Sequence, residues 1–346
     1  MADLAISTMP FLDTLAGIRT GFMTAVFNVL TFLGDEKLFV VISLIVIWCF
    51  SKQGGRYMLT VGFGASGIGQ TLKMLFRIPR PWELGEEPFQ HTDPTARGTG
   101  ADRSGGLIGK LLGSGADGWS FPSGHTLISV GTYGAMAAWF RQKWIRIAGI
   151  ALAVLIPFTR LYLGVHTPLD ILGGTLISLA LVLALKPFFA GDRPNRVRAV
   201  LIGNIVLNAA LLLWMSLATP ANLEGEDIAK YLSGLKNLWQ LVGATLAVEI
   251  AYEVDERVLH YDVKAVWWAQ VLKIIGGSVI VLGVQLAVQK VLGYSSSALT
   301  MENITRMGII AALANLLSML AGMVCWPMTF RWFAKLGKEK VQTDAD

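Results

Sequence analysis

The chain has 346 residues, of which 53% are hydrophobic and only 15% charged, with a formal net charge of +5. A soluble domain of this size is about a quarter charged, and here the apolar residues come in continuous runs, with a mean hydropathy of +0.55. Continuous runs exclude an alternating membrane barrel and point to an all-α, polytopic helical membrane protein. The modest positive charge, without a basic tail interleaved with aromatics, reads as loop bias and not as nucleic-acid binding.

In chain order the runs predict ten spans, near 12–33, 37–50, 57–77, 122–140, 146–163, 169–188, 198–218, 236–253, 266–290 and 307–329. The first holds Asp13 and Arg19, which suggests that part of it lies at the interface; the second is short for a bilayer core of about 30 Å. The opening MADLAIS has no basic region and no clear cleavage site follows it, so the first span is expected to serve as the insertion signal. Cys49 and Cys325 lie inside apolar runs and read as buried free thiols, not as a disulfide.

Lys and Arg concentrate in alternate connections: 51–56, 141–146, 186–198, 254–265 and the tail after 330. The positive-inside rule places that side, and with it both termini, in the cytoplasm. The opposite connections are Gly-rich or acidic. One of them, 82–120, is long and rich in Gly and Ser, and loops of that length are functional lids or partly disordered.

Three stretches put polar groups at the extracytoplasmic ends of spans. In KMLFRIPRP (73–81), Lys73, Arg77 and Arg80 are spaced by four and three, so one helix would carry all three on one face. Ionisable residues within a span are functional candidates, although Arg77 alone reads better as snorkelling to the interface. FPSGHT (121–126) opens the fourth span. Pro122 stops any helix upstream, Ser123 and Gly124 precede the helix, and Gly124 lets the backbone approach a ligand. The free N–H groups of a helix start form an anion site, and His125 sits there. In TRLYLGVHTPLD (159–170), Thr167 reads as an N-cap and Pro168 as the first helical residue, so His166 lies just before a helix N-terminus. Asp170 follows four residues on, where a carboxylate can fix the imidazole tautomer and leave the other nitrogen nucleophilic. With Arg160, these cations, helix starts, hydroxyl, histidines and carboxylate suit a phosphoryl group and its transition state.

The same residues resemble a known family. K-x6-RP (Lys73, Arg80, Pro81), PSGH (Pro122 to His125) and R-x5-H-x3-D (Arg160, His166, Asp170) look like the three signature motifs of the type-2 phosphatidic acid phosphatase superfamily, in order and internal spacing. Thr159 stands where the family pattern usually has Ser, and the segment between the first two motifs is lengthened. The resemblance covers about residues 10–190. It implies a six-span phosphatase core at 1–190, including the loop 82–120, with a four-span extension at 191–346 of unassigned role. It further implies that His166 is the nucleophile, Asp170 its orienting acid and His125 the general acid. Lys73, Arg80, Ser123, Gly124 and Arg160 would bind the phosphate, without cofactor or metal. The remaining histidines, His91 and His260, sit in no ligand-spaced cluster, and His91 with Asp93 reads as a solvated pair in a loop.

The expected function is a metal-independent integral membrane phosphatase acting on a lipid phosphate or diphosphate through a phosphohistidine, with its site on the extracytoplasmic side of a bacterial cytoplasmic membrane. An endoplasmic reticulum protein with a lumenal site would share that topology. A lipid phosphotransferase, in which a lipid or sugar hydroxyl replaces water, is the alternative. A transporter would need the three motifs to arise without chemistry. The extension could shape a lipid pocket, hold a homodimer contact or only pack on the core, with Gly276, Gly277 and Gly283 permitting close helix packing. Glu249, Glu253, Asp255 and Glu256 read as a solvated membrane edge.

Overall fold

The computed structural model describes residues 1–84, 118–191, 193–220, 223–295 and 299–334. Most of the long loop, with His91 and Asp93, lies outside the described residues. Every regular element among those described is helical. The α-helices, in order, are α1 (Ala2–Ile6), α2 (Met9–Gly17), α3 (Gly21–Phe32), α4 (Glu36–Cys49), α5 (Lys52–Phe76), α6 (Gly124–Trp139), α7 (Lys143–Tyr162), α8 (Pro168–Phe189), α9 (Pro194–Leu217), α10 (Glu226–Val254), α11 (Trp267–Val291), α12 (Ile304–Leu320) and α13 (Phe330–Phe333).

Among the described residues, five helical stretches are long and apolar enough to cross a membrane: α7, α8, α9, α11 and the run Ile304–Phe333. Their apolar residues face outward. On α8, Leu172, Leu176, Leu179 and Leu183 are 44–62% exposed at helical spacing, and Val271, Ile275, Val279 and Leu282 form a similar stripe on α11. A soluble protein buries such stripes, so the chain is a polytopic helical membrane protein. α5 has the opposite design. It is less apolar, yet its residues 54–67 are all buried, and its Gly, Ser and Thr residues suit close helix packing.

The structure corrects four local expectations. The predicted first span is two helices, α2 and α3, broken at 18–20. Thr20 starts the second, its Oγ1 accepting from Met23 N–H at 3.2 Å, and its own N–H donates to Tyr162 Oη at 3.0 Å. α10 begins at Glu226, ten residues before the predicted span, because the charged first turns (Glu226, Asp227, Lys230) mask helix to a hydropathy window. Cys49 is half-buried and Cys325 exposed, since apolar runs in a membrane protein also face outward. Asp255 is 1% exposed, not solvated.

The described chain divides into two compact units. The first comprises Met1–Phe39, Gly64–Ala184 and Ala218–Gly234. Within it α6 and α7 lie side by side, so close that a Cβ on Gly149 would come within 2.8 Å of the Tyr133 carbonyl oxygen. Two small cores brace the polar residues described below. One joins Ala5, Met9 and Leu12 to Ile78 and Phe121. The other joins Phe27 to Tyr162, Leu163 and Val165, with the Phe27 and Tyr162 rings edge to face at 4.6 Å. At the start of α10, Lys230 Nζ donates to Glu83 Oε2 at 3.0 Å.

The second unit comprises Val40–Phe63, Leu185–Leu217 and Leu235–Asp346. Asp255 there accepts from Lys52 Nζ at 3.0 Å and from the buried Arg56 guanidinium. Deeper, Gln285 Nε2 donates to Asn315 Oδ1 and Ser318 Oγ to Gln285 Oε1, each at 2.8 Å. Asn315 Nδ2 donates to the Gln240 carbonyl at 3.2 Å, giving α10, α11 and α12 the interhelical polar contacts that hold membrane bundles.

Candidate active site

Two local motifs fix the spacing of Arg160, His166 and Asp170. α7 ends in a Schellman turn: Val165 N–H donates to Arg160 O at 3.1 Å and Gly164 N–H to Leu161 O at 3.0 Å, with Gly164 at φ +71°. That backbone region suits glycine. α8 opens two residues later with a capping box. Thr167 N–H donates to Asp170 Oδ2 at 2.7 Å and Asp170 N–H to Thr167 Oγ1 at 3.4 Å. His166 occupies the link between them, 2% exposed. Its Nδ1 lies 3.3 Å from Asp170 Oδ2, so Asp170 both caps a helix and faces the imidazole.

The PSGH stretch starts α6. Ser123 is the N-cap, its Oγ accepting from Thr126 N–H at 3.4 Å, and it is fully buried. Its N–H donates to Asp170 O at 3.1 Å, linking the starts of α6 and α8. Gly173 and Gly174 permit this approach. A Cβ at Gly173 would fall 2.5 Å from the Phe121 ring, and one at Gly174 would fall 3.1 Å from Ser123 O. At Gly124 a Cβ would meet none of the described residues within 4 Å, beside the first N–H groups of α6, the kind of helix start that suits an anion. His125 Nε2 is buried without a hydrogen-bond partner among the described residues.

The expected single face of Lys73, Arg77 and Arg80 does not form. α5 ends at Phe76, and Arg77 takes a left-handed conformation, φ +46°. Pro79 and Pro81 cannot extend a helix and bias the residues before them to extended backbone. Lys73 therefore comes from the last turn of α5 and Arg80 from the link after it. Lys73 Nζ donates to Trp119 O at 2.5 Å. Arg80 Nε donates to Gly118 O, and Arg80 Nη1 to Val165 O, each at 3.0 Å. Nη1 also lies 2.9 Å from His166 Nε2. Arg77 Nε donates to Met74 O instead, back on its own helix.

Arg160 completes the group, buried, with Nη1 donating to Thr31 Oγ1 at 2.8 Å. Its Nε and Nη2 have no hydrogen-bond partner among the described residues, nor does Asp170 Oδ1. Burial, and after it the charges of Arg80, Lys73, Arg160 and His125, holds the His166 imidazole well below its ordinary pKa. Because Arg80 Nη1 can only donate, His166 Nε2 accepts, and the ring proton belongs on Nδ1, toward Asp170.

All eight residues expected at the site thus lie in one unit, in the same group of links and helix ends. Sequence reasoning missed two others. Ser120, fully buried, donates through Oγ to Asp170 Oδ2 at 2.5 Å, and Thr31 holds Arg160. Ser120 stands three residues before Ser123 and carries no spacing signal; Thr31 comes from a helix far away in sequence.

Comparison with known proteins agrees with the motifs. Residues 53–194 match the profile of the PAP2 superfamily. The chain is similar to an undecaprenyl-diphosphatase from Sulfolobus acidocaldarius, 46% identical over 59 residues, covering 17% of this chain and 28% of that protein. It is also similar to a probable sphingosine-1-phosphate phosphatase from Dictyostelium discoideum, 26% identical over 183 residues, covering 51% and 41%. A third relative is phosphatidylglycerophosphatase B from Bacillus subtilis, 34% identical over 79 residues, covering 20% and 39%. The chain therefore spans less than half the length of each of these relatives. No solved structure shows significant similarity to it.

Proposed function

We propose that this protein hydrolyses a lipid phosphate or diphosphate through a phosphohistidine on His166, on the extracytoplasmic side of a cytoplasmic membrane. The observation that carries the reading is the imidazole of His166 held between Asp170 at Nδ1 and Arg80 at Nε2, beside Arg160 and His125 nitrogens that have no partner among the described residues. The names of the similar proteins, all phosphatases of phosphorylated lipids, support the substrate class.

In the first half-reaction the substrate phosphate enters among Lys73, Arg80, Arg160, Ser123 and the N–H groups at Gly124. Arg80 turns onto a phosphate oxygen and frees the Nε2 lone pair. Nε2 attacks phosphorus, the bond to the lipid oxygen breaks, and His125 gives that oxygen a proton. Asp170 balances the positive charge that the ring acquires. In the second half-reaction His125 takes a proton from water, the water oxygen attacks phosphorus, and the P–N bond breaks to release phosphate. The fixed cations stabilise the charge on the transferring group in both steps. No metal is invoked.

The lipid tail stays in the bilayer while the phosphate reaches the interface. Residues 1–190 serve as the catalytic core in this reading, and the Lys- and Arg-rich connections support a cytoplasmic side for both termini. Release of free phosphate from a panel of lipid phosphates in detergent, with EDTA present and His166→Ala alongside, tests it. Release that survives EDTA and vanishes in the variant is expected. Phosphate found only on an added lipid or sugar acceptor would establish phosphotransfer instead. Release unaffected by His166→Ala would end the assignment.

A further inference from the structure

We propose that Ser120 is a positioning residue for the His166–Asp170 pair, holding the carboxylate against Nδ1 so that the neutral imidazole keeps Nε2 as the attacking atom. The proposal rests on the reading of His166 as nucleophile.

Ser120 is fully buried and tied on three sides. Its N–H donates to Ile78 O at 2.8 Å, two residues before Arg80. Its Oγ donates to Asp170 Oδ2 at 2.5 Å and lies 3.3 Å from His166 Nδ1. A hydroxyl has one proton and two lone pairs. With the proton committed to the carboxylate, a lone pair faces Nδ1 and can only accept. Oγ and Oδ2 together therefore require a proton on Nδ1. The opposite tautomer would set Nε2–H against the Arg80 donor at 2.9 Å and the Nδ1 lone pair against two acceptors.

The neighbours of Ser120 act in the same direction. Gly118 O accepts from Arg80 Nε, and Trp119 O from Lys73 Nζ. Three consecutive residues thus each hold a charged group of the site, two cations by carbonyls and the carboxylate by a hydroxyl. None belongs to the K-x6-RP, PSGH or R-x5-H-x3-D patterns.

Removing the hydroxyl takes one donor from Asp170 and makes the carboxylate more basic, which favours the protonated, non-nucleophilic imidazolium. Ser120→Ala should lower kcat by about 10- to 100-fold, with KM changed less than about threefold, since a hydrogen bond to a charged group is lost and no phosphate contact is. The acid limb of its kcat/KM profile should move to higher pH. Long-range 1H–15N spectra of protein labelled with [15N]histidine should show the Nδ1–H tautomer for His166 in the wild type, and in Ser120→Ala the doubly protonated imidazolium should appear at higher pH than in the wild type. An imidazolium that appears at the same pH in both proteins overturns the proposal whatever happens to activity, and so does a fall in kcat with the acid limb in place, which would mark a packing role. If the wild type releases no phosphate while the imidazolium onset still moves in Ser120→Ala, the hydrolase reading falls and the positioning by Ser120 stands.

Discussion

Arg80 Nη1 donates to His166 Nε2 at 2.9 Å, so the site's central cation rests on the nitrogen proposed to attack phosphorus. Nε of the same guanidinium is anchored on Gly118 O. A planar fork can keep that anchor while another N–H passes from imidazole to phosphate; an ammonium is a point charge and cannot. Arg80→Lys should therefore lose about 10²-fold in kcat/KM on a lipid phosphate although the charge is kept, the scale of losing one aimed donor at a developing charge. A variant within about threefold of wild type would mean that charge alone sets the contribution.

How much of this site was legible depended on range. Arg160, His166 and Asp170 are spaced by a Schellman turn and a capping box, both made by neighbours in sequence, so Thr167-Pro168 announced the helix start correctly. The shared face of Lys73, Arg77 and Arg80 failed although its counter-signal was also local: Pro79 and Pro81 forbid the helix that the spacing assumed. What stayed hidden was long-range. Ser120 meets Asp170 fifty residues on, Thr31 meets Arg160 across 129, and Arg56 meets Asp255 across 199. In the last case the local reading saw only acids at a helix end. Hydropathy found the lipid-facing helices but placed the start of α10 too late, because a helix whose first turns are charged leaves no apolar signal there.

His125 Nε2 is buried and without a partner among the described residues, as a proton donor awaiting a leaving oxygen would be. General acid catalysis contributes about 10²–10⁴ in rate when the leaving group is a poor one. His125→Ala should lose that factor on an alkyl lipid phosphate and much less on p-nitrophenyl phosphate, whose phenolate leaves unaided. Steady-state rates on the two substrates decide the point. Equal losses on both would remove the acid role from His125.

The low pKa of His166 has a sign that can be measured. In the proposed mechanism its neutral form is the nucleophile, and burial among Arg80, Lys73, Arg160 and His125 disfavours protonation. Activity should therefore persist as the pH falls through about 6.5, the ordinary imidazole value, and decline only well below it. The kcat/KM profile must first be corrected for the substrate's own second ionisation near pH 6, read from a 31P titration of the lipid phosphate. A corrected acid limb at or above 6.5 would contradict this account of the imidazole's surroundings.

The last prediction concerns stability, away from the site. Asp255 is 1% exposed and accepts from Lys52 and Arg56, whose side chain is itself 3% exposed. Asp255→Asn keeps the shape but strands a buried guanidinium, leaving it the half-exposed Glu256 at 3.3 Å as its remaining ion-pair partner. Removing one member of a buried pair costs about 3–5 kcal/mol, and the surviving contact to Glu256 places this case at the lower end. The midpoint of thermal unfolding in detergent should fall by several degrees, while kcat well below that midpoint stays at the wild-type value. Replacing both partners by apolar residues of similar volume, as in Arg56→Met with Asp255→Leu, should restore most of the loss, because the cost lies in the stranded charge and not in the missing attraction. An Asp255→Asn protein with the wild-type midpoint would show that Lys52, Arg56 and Asp255 contribute nothing to stability as a group.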